Sequence, residues 1–113
     1  MIKFNALYQS LKKVSAEWHA GHVQWQYSWY YLKCFEGGTF VYALFSSEDF
    51  EHINIDLSEN SSDHSFLRGH YEINSSSLIN LKFENGIEIG GEILDGNKLI
   101  LNGKLSWELF SLV

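Results

Sequence analysis

Strict alternation of apolar and polar side chains in the second half of the chain is the feature that most constrains the fold. Three runs show it, namely FLRGHYEI, LINLKFE and IEIGGEIL. Side chains two residues apart share one face of a β-strand, so each run predicts a strand with one apolar and one polar face. The short connections NSSS, ENG, LDGN and NG predict that consecutive strands pair in antiparallel order.

A closed barrel is the architecture that these strands predict. About seven antiparallel strands, each with one wet face, bury their apolar faces most economically as a small up-and-down barrel. Closure also removes the exposed edges that an open sheet would leave. The chain has 113 residues, of which 45% are hydrophobic, which is enough for one core. We therefore predict a mainly β single domain over residues 1–113.

The first predicted hairpin, WQYSWYYLKCFEGGTFVYALF at residues 25–45, is apolar on both faces. A three-residue loop from Glu36 to Gly38 places Cys34 opposite Phe40, whereas a two-residue loop would swap the faces. We prefer the three-residue loop because it buries more apolar area, at about 25 cal/mol per Å². The inner row is then Tyr30, Leu32, Cys34, Phe40, Tyr42 and Leu44. The outer row is Trp29, Tyr31, Phe35, Val41 and Phe45.

Two segments have helical periodicity. Residues 4–18 carry apolar side chains at steps of three and four, which predicts an N-terminal helix with one apolar face. This stripe consists of Phe4, Leu7, Leu11, Val14 and Trp18. In the acidic segment after residue 45, Phe50, Ile53 and Leu57 recur at helical spacing, and Ser47 can cap the helix. We therefore also predict a short helix between predicted strands two and three.

The outer row is too large an apolar surface to stay bare on a monomer. The sequence allows two alternatives for what covers the outer row. The stripe of the predicted N-terminal helix could lie on it, or a second copy of the chain could pack face to face in a homodimer. The candidate interface residues are Trp29, Tyr31, Phe35 and Phe45.

The order of segments resembles a known family. The pattern WYYLKCFEGGTFVYALFSSEDFEHINIDL, followed by FLRGHYEI, INLKF and GGEILDGNKLIL, resembles a small lipocalin-like, or calycin, domain. It is similar to the barrel module at the C-terminus of certain F-box proteins, and the resemblance covers residues 25–113. The matching segments are 36–39, 46–49, 69–71 and 91–101. The resemblance implies a barrel around a small apolar ligand. The aromatic residues predicted for the barrel interior, which would line it, are Tyr42, Tyr71, Phe83 and Trp107.

Charge and cysteine content limit the partners and the compartment. The net charge of −6 argues against a nucleic-acid surface and against attachment to anionic lipid. No run approaches the roughly 18 apolar residues of a membrane span, and the opening MIKFNALYQSLKK lacks the apolar core of a secretory signal. A single cysteine cannot form an internal disulfide, which is typical of a reducing compartment. Together, these features predict a soluble cytoplasmic protein with no membrane or nucleic-acid partner.

No residue pattern predicts a catalytic, cofactor or metal site. His19 and His22 could share a helical face, but no third ligand accompanies them. The acidic segment between Glu48 and Asp63 lacks the glycine that a calcium loop needs at its tight turn. Cys34 lies in the middle of a predicted strand, which favours a buried, inert thiol over a nucleophile.

Three functions remain as hypotheses, and the first is preferred. It is a non-catalytic binding module that holds a small apolar ligand in the barrel. The second is a protein-interaction or self-association module that uses the outer row. The third is an enzyme of the calycin architecture. No sequence motif supports it, and a fold alone does not define an activity.

Overall fold

A computed structural model describes residues 2–61, 63–75, 77–102 and 107–113. In these residues the chain forms nine strands and one helix. The strands are β1 (Leu7–Ser10), β2 (Lys13–His19), β3 (His22–Cys34), β4 (Thr39–Phe45), β5 (Leu67–Asn74), β6 (Leu78–Phe83), β7 (Glu88–Asp95), β8 (Lys98–Asn102) and β9 (Trp107–Leu112). The helix is α1 (Phe50–Asp56), between β4 and β5.

Eight of these strands form a closed antiparallel barrel. From β3 to β9 each strand pairs with the next along the chain, as the short turns predict. β1 closes the barrel by pairing with β9 on one side and with β3 on the other. The prediction of a mainly β antiparallel barrel is confirmed, with eight barrel strands rather than about seven. β2 pairs with the first half of β3 and lies outside the barrel.

The predicted N-terminal helix over residues 4–18 is wrong. Residues 7–10 form β1 and residues 13–19 form β2, so the barrel begins at residue 7 rather than at residue 25. The apolar residues of the stripe do have helical spacing, but this segment can also form strands that close the sheet, and closure prevails. As a helix, this segment would leave the free edges of β3 and β9 unpaired, and β1 removes both.

The register of the first hairpin follows the three-residue loop. Cys34 lies opposite Phe40, and Gly38 has a φ of 96°, the left-handed conformation that this turn requires. The predicted inner row faces the barrel axis, except that Leu44 is 52% exposed. The reason is that β5 begins at Leu67, opposite Tyr42, so the end of β4 is flanked by β3 on one side and by no described strand on the other.

The barrel interior is filled by its own side chains, as an eight-stranded barrel allows. Aromatic rings pack against one another in the interior: Phe40 packs edge-on against Phe83, and Tyr42 contacts both Phe83 and Phe110. The buried cluster is Ile2, Tyr8, Leu32, Cys34, Phe40, Ile79, Leu81, Phe83, Ile93, Leu99, Leu101 and Phe110. Tyr8 is fully buried, and its hydroxyl donates a hydrogen bond to the Gly96 carbonyl at 2.6 Å.

The predicted short helix is present as α1, and it packs on the outer row. Asp49, rather than Ser47, is its N-cap, because the Asp49 carboxylate accepts a hydrogen bond from the His52 N–H. Its apolar side chains complete a second buried cluster on the outside of the barrel. That cluster contains Leu7, Tyr31, Phe35, Val41, Ala43, Ile53 and Leu57. The small side chains of Val41 and Ala43 leave room for the helix, which explains how both faces of the hairpin become buried.

The two ends of the barrel differ. At one end the residues before β1 act as a plug, because Ile2 is buried in the core and Phe4 stacks on Tyr71 with ring centroids 6.4 Å apart. The Asn5 N–H donates to the Cys34 carbonyl at 2.8 Å and ties this plug to β3. The other end carries the hairpin of β2 with β3. We call these the plugged end and the open end.

Candidate binding surfaces

A two-stranded arm projects from the open end. It comprises β2 and residues 22–28 of β3, and the two strands meet at an Ala20-Gly21 turn. Ala20 has a φ of 48° and Gly21 has a φ of 81°, the two left-handed residues of a tight hairpin turn. Seven strand residues extend for about 24 Å. The molecule measures 52 × 30 × 27 Å, as a small barrel with such an arm would.

A one-residue shift between β1 and β2 decides which way the arm's side chains point. Tyr8 pairs with Leu32 inside the barrel, but Val14 pairs with Tyr27, one residue out of the register that β1 sets. The two residues between β1 and β2, where the register changes, are Leu11 and Lys12. Because a shift of one residue exchanges the faces of a strand, even-numbered residues point inward in β1 and outward in β2.

The result is an arm with one apolar and one polar face. Residues that pair directly across two strands share a face. The apolar arm face is therefore Val14, Ala16, Trp18, Val23, Trp25 and Tyr27. The polar arm face is Lys13, Ser15, Glu17, His19, His22, Gln24, Gln26 and Ser28. All six residues of the apolar arm face are exposed, with Trp18 at 76% and Trp25 at 62%.

Polar contacts hold the base of the arm against the barrel. The Lys13 ammonium lies 2.5 Å from a carboxylate oxygen of Glu108, which points inward from β9 opposite Leu101. The Ser10 hydroxyl accepts a hydrogen bond from the Tyr30 N–H at 2.9 Å and bridges the break between β1 and β2. Lys12 lies 4.7 Å from the centre of the Tyr27 ring, a cation–π contact. The contacts of Lys13 and Ser10 thus join the base of the arm to the barrel.

The aromatic side chains that the ligand hypothesis selects lie at different places in the barrel. Tyr42 and Phe83 lie together near the open end, with ring centroids 5.8 Å apart. Tyr71 lies at the plugged end, where its hydroxyl donates to the Phe35 carbonyl at 2.5 Å. Trp107 is the first residue of β9 and is 61% exposed on the rim. The structure brings together two of the four candidate residues.

A shallow apolar depression marks the open end. Its volume is about 90 Å³, and its lining residues are Tyr42, Leu67, Phe83, Asn85, Ile87 and Ile89. Pockets that enclose small ligands usually measure about 300 to 1,000 Å³. Burial, the nearby Glu108 carboxylate and Tyr30 raise the pKa of the Tyr42 phenol, so this phenol stays neutral. The depression can accept a group the size of a side chain.

The candidate interface residues of the outer row lie under or beside α1. Tyr31 is fully buried and Phe35 is nearly so. Trp29 and Phe45 are half-buried at the edge of the same cluster, on the side where the helix begins. The Tyr31 hydroxyl donates to the Ser47 carbonyl at 2.7 Å, and the Lys33 ammonium donates to the Asn54 carbonyl at 2.9 Å. α1 of the same chain thus covers the middle of the outer row, and only the edge next to the arm is partly open.

The thiol of Cys34 is buried in the core, and burial raises its pKa to about 12. We expect roughly a thousandfold less thiolate at pH 8 than an ordinary thiol would have, and correspondingly slow labelling by a chromogenic disulfide. The denatured chain should label fully within minutes and serves as the control. Rapid labelling of the native protein would contradict this burial.

The raised pKa of Cys34 also makes the free energy of unfolding fall as the pH rises above 9.0, because the unfolded chain then loses a proton that the folded chain retains.

The histidines that sequence spacing placed on one helical face lie instead on opposite strands of the arm. His19 pairs with His22 across the Ala20-Gly21 turn. Among the residues that the structure describes, no three His, Cys, Asp or Glu side chains are grouped so that they could hold a metal ion. In the same residues, no helix combines the length and the apolarity needed to cross a membrane.

The apolar arm face escaped sequence analysis, although a signal for it exists. Its members alternate on both sides of a central Ala-Gly pair, and period-two alternation around a two-residue turn is typical of a hairpin. The run on β2 is Val14, Ala16 and Trp18, and the run on β3 is Val23, Trp25 and Tyr27. Val14 and Trp18 also fit the helical stripe, which hid the alternation.

Comparison of this chain with family models, with curated proteins and with solved structures found no match in any of the three.

Proposed function

We propose that this protein is a non-catalytic binding module and that the apolar arm face is its binding surface for a protein partner. The observation that carries the proposal is that six apolar side chains lie exposed on one face of a projecting hairpin. An isolated two-stranded hairpin is marginally stable in water, and a monomer rarely exposes a continuous apolar surface of this kind. A partner that covers this face would stabilise the hairpin and would remove the apolar surface from water.

The chemistry of the surface favours a protein partner. Tryptophan and tyrosine are enriched among the few residues that dominate binding energy in protein interfaces, and charged residues are depleted at interface centres. The apolar arm face has Trp18, Trp25 and Tyr27 and no charged residue. The charged and amide side chains of the arm lie on the opposite face, where they remain in water when the apolar face is covered.

The test is photo-cross-linking from one position on each face of β3. A benzoylphenylalanine placed at Trp25 should form a discrete adduct in an extract of the cells that make the protein. The matched control is the same group at Gln24, on the polar arm face of the same strand, which should form little or none. Excess unlabelled protein should suppress the adduct, and excess Trp25→Glu protein should not. Equal adducts from both positions would contradict the proposal.

A small apolar ligand at the open end is the second candidate. The depression lined by Tyr42 and Phe83 supports it, but the depression is shallow and the barrel axis behind it is occupied by core side chains. Such a ligand would contact the rim rather than fill a cup. We also propose that the barrel is related to the lipocalin-like modules, since sequential antiparallel order and closure agree with that family's architecture.

A further inference from the structure

We propose that the partner of the apolar arm face is the same face of a second copy of this chain. The two copies form a two-fold dimer in which the arms lie face to face and antiparallel. This inference rests on the proposed function, because it uses the same surface and adds the identity of the partner. Three observations support it: the area of the face, its pattern of large and small side chains, and the distribution of charge.

The area of the face matches what a dimer of modest affinity needs. Two tryptophans, a tyrosine and two valines are between 41% and 76% exposed. With an aromatic side chain presenting about 150–250 Å², the face amounts to about 500 Å². Two such faces bury about 1,000 Å² in total, which is the lower limit for a specific interface. We therefore expect a dissociation constant in the micromolar range.

The pattern of side chains is self-complementary when the arms are antiparallel. A two-fold axis through the central Ala16–Trp25 pair, and perpendicular to the strands, places each strand over its own copy. Trp18 then lies over the partner's Val14, and Tyr27 lies over the partner's Val23, so each outer aromatic ring meets a smaller side chain. The two Trp25 rings meet at the axis, beside the space that Ala16 leaves. Facing sheets lie about 10 Å apart, and side chains of these sizes fill that gap.

The distribution of charge favours the antiparallel arrangement. Residues 11–28 contain two lysines and one glutamate, whereas the whole chain has a net charge of −6. The negative charge therefore lies on the barrel. Antiparallel arms hold the two acidic barrels at opposite ends of the dimer, and parallel arms would bring them side by side, where they repel.

Edge-to-edge pairing of two arms is a poorer alternative. Among the described strands, β2 pairs only with β3, so its outer edge could in principle accept another strand. Such pairing would join the two hairpins into a four-stranded sheet, but it would leave all six apolar side chains exposed. Face-to-face packing covers them.

The first test is sedimentation equilibrium of the purified chain at about 10 to 500 µM, a range that brackets the expected affinity. We expect the wild-type protein to change from monomer to dimer, and Trp25→Glu to stay monomeric. The matched control is Gln24→Glu, which adds the same charge on the polar arm face and should dimerise like the wild type. Trp18→Glu provides a second disruption near the tip. Unchanged Cys34 protection in each variant shows that the barrel is intact.

Two results overturn the inference. One is a wild-type protein that stays monomeric throughout the range, and the other is a Trp25→Glu variant that dimerises as well as the wild type. If the monomeric protein still forms the Trp25-dependent adduct with another protein, the proposed function stands and only the identity of the partner is wrong. If the monomeric protein instead binds phosphatidylcholine vesicles through Trp25, the face is lipid-directed and both proposals fall.

The direction of the arms is tested separately by a spin label at the tip. A His22→Cys variant can be labelled selectively, because Cys34 is buried. In the antiparallel dimer the two labelled residues lie three strand positions on either side of the axis, so their backbones are about 20 Å apart. Because His22 lies on the polar arm face, the labels point away from the interface, and their length is subtracted to obtain the backbone distance. A backbone distance of about 10 Å, the spacing of directly facing strands, would overturn the antiparallel arrangement.

Discussion

Replacing Gly69 with alanine is expected to lower the free energy of unfolding by about 3 kcal/mol or more, at the upper end of what overpacking a core costs. A Cβ atom at this position would overlap the backbone carbonyl oxygen of Lys82 and lie 2.9 Å from the Cα of Phe83. Backbone atoms of a neighbouring barrel strand cannot rotate away as a side chain can, so β5 and β6 would have to separate. Chemical denaturation of the purified variant measures the loss.

The surroundings of Gly69 explain why the barrel needs a glycine there. Gly69 lies between Phe40 on β4 and Phe83 on β6, and all three residues face the barrel interior. The two rings are 4.9 Å apart, closer than strands two apart would otherwise bring them. The missing side chain thus lets β5 approach β6 and lets the aromatic rings close over the gap, as glycines do at the tight bends of small barrels.

Two other glycines provide controls for this prediction. Gly90→Ala places a Cβ in open space, with no heavy atom within 4 Å, and should change stability by less than about 1 kcal/mol. Gly91→Ala meets the Ile100 carbonyl and the Leu101 side chain, so it should destabilise as Gly69→Ala does. If Gly69→Ala yields no folded protein, a large loss at Gly91 with none at Gly90 would support the same explanation. Equal effects at all three positions would contradict it.

Replacing Leu57 with alanine is expected to cost about 2 to 5 kcal/mol. Leu57 follows α1 and is fully buried against the outer row, where it packs with Ile53, Tyr31 and Val41. Alanine would leave a cavity beneath the helix, and the outer row of the first hairpin would lose part of its cover. Thermal and denaturant unfolding of the two proteins measure the difference.

Ile55 is the matched control for Leu57. It lies in α1, two residues before Leu57, and is 69% exposed, so Ile55→Ala should change stability by no more than about 0.5 kcal/mol. The pair separates packing of α1 on the barrel from helix propensity, since both changes introduce alanine. If the two variants lost equal stability, α1 would not be the cover of the outer row.

The second half of the chain could be predicted from its sequence because several local signals agree there. Ile79, Leu81 and Phe83 alternate with polar residues and all three are buried in the barrel. Short turns leave consecutive strands few other partners. The first hairpin was also predictable to the residue, since the Glu36 to Gly38 loop has one register that buries the larger side chains.

The N-terminal segment could not be predicted, because its local signals disagree. Val14 and Trp18 fit both a helical stripe and a β-strand, and no residue between them excludes either structure. The choice depends on β9 and β3, which each need a partner strand to close the barrel and lie far from β1 along the chain. No window of local sequence contains that requirement.

The candidate binding surface depended on the tertiary structure even more strongly. Trp29 and Tyr31 belong to the same face of β3 as Trp25 and Tyr27, and the two pairs are equally aromatic. α1 reaches the first pair and not the second, because β3 continues beyond the barrel while β4 ends opposite Trp29. Which aromatic residues become core and which become surface follows from that difference in strand length.

The sequence by itself determined the strand alternation, the turn positions, the register of the first hairpin and the helix that packs beside it. Each of these depends on residues that are near one another along the chain. Only the tertiary structure decided that residues 7–10 close the barrel, that α1 covers the outer row and that the arm face stays open. These outcomes depend on contacts between segments that are distant along the chain. When one segment covers an apolar surface, that surface is no longer available to another segment.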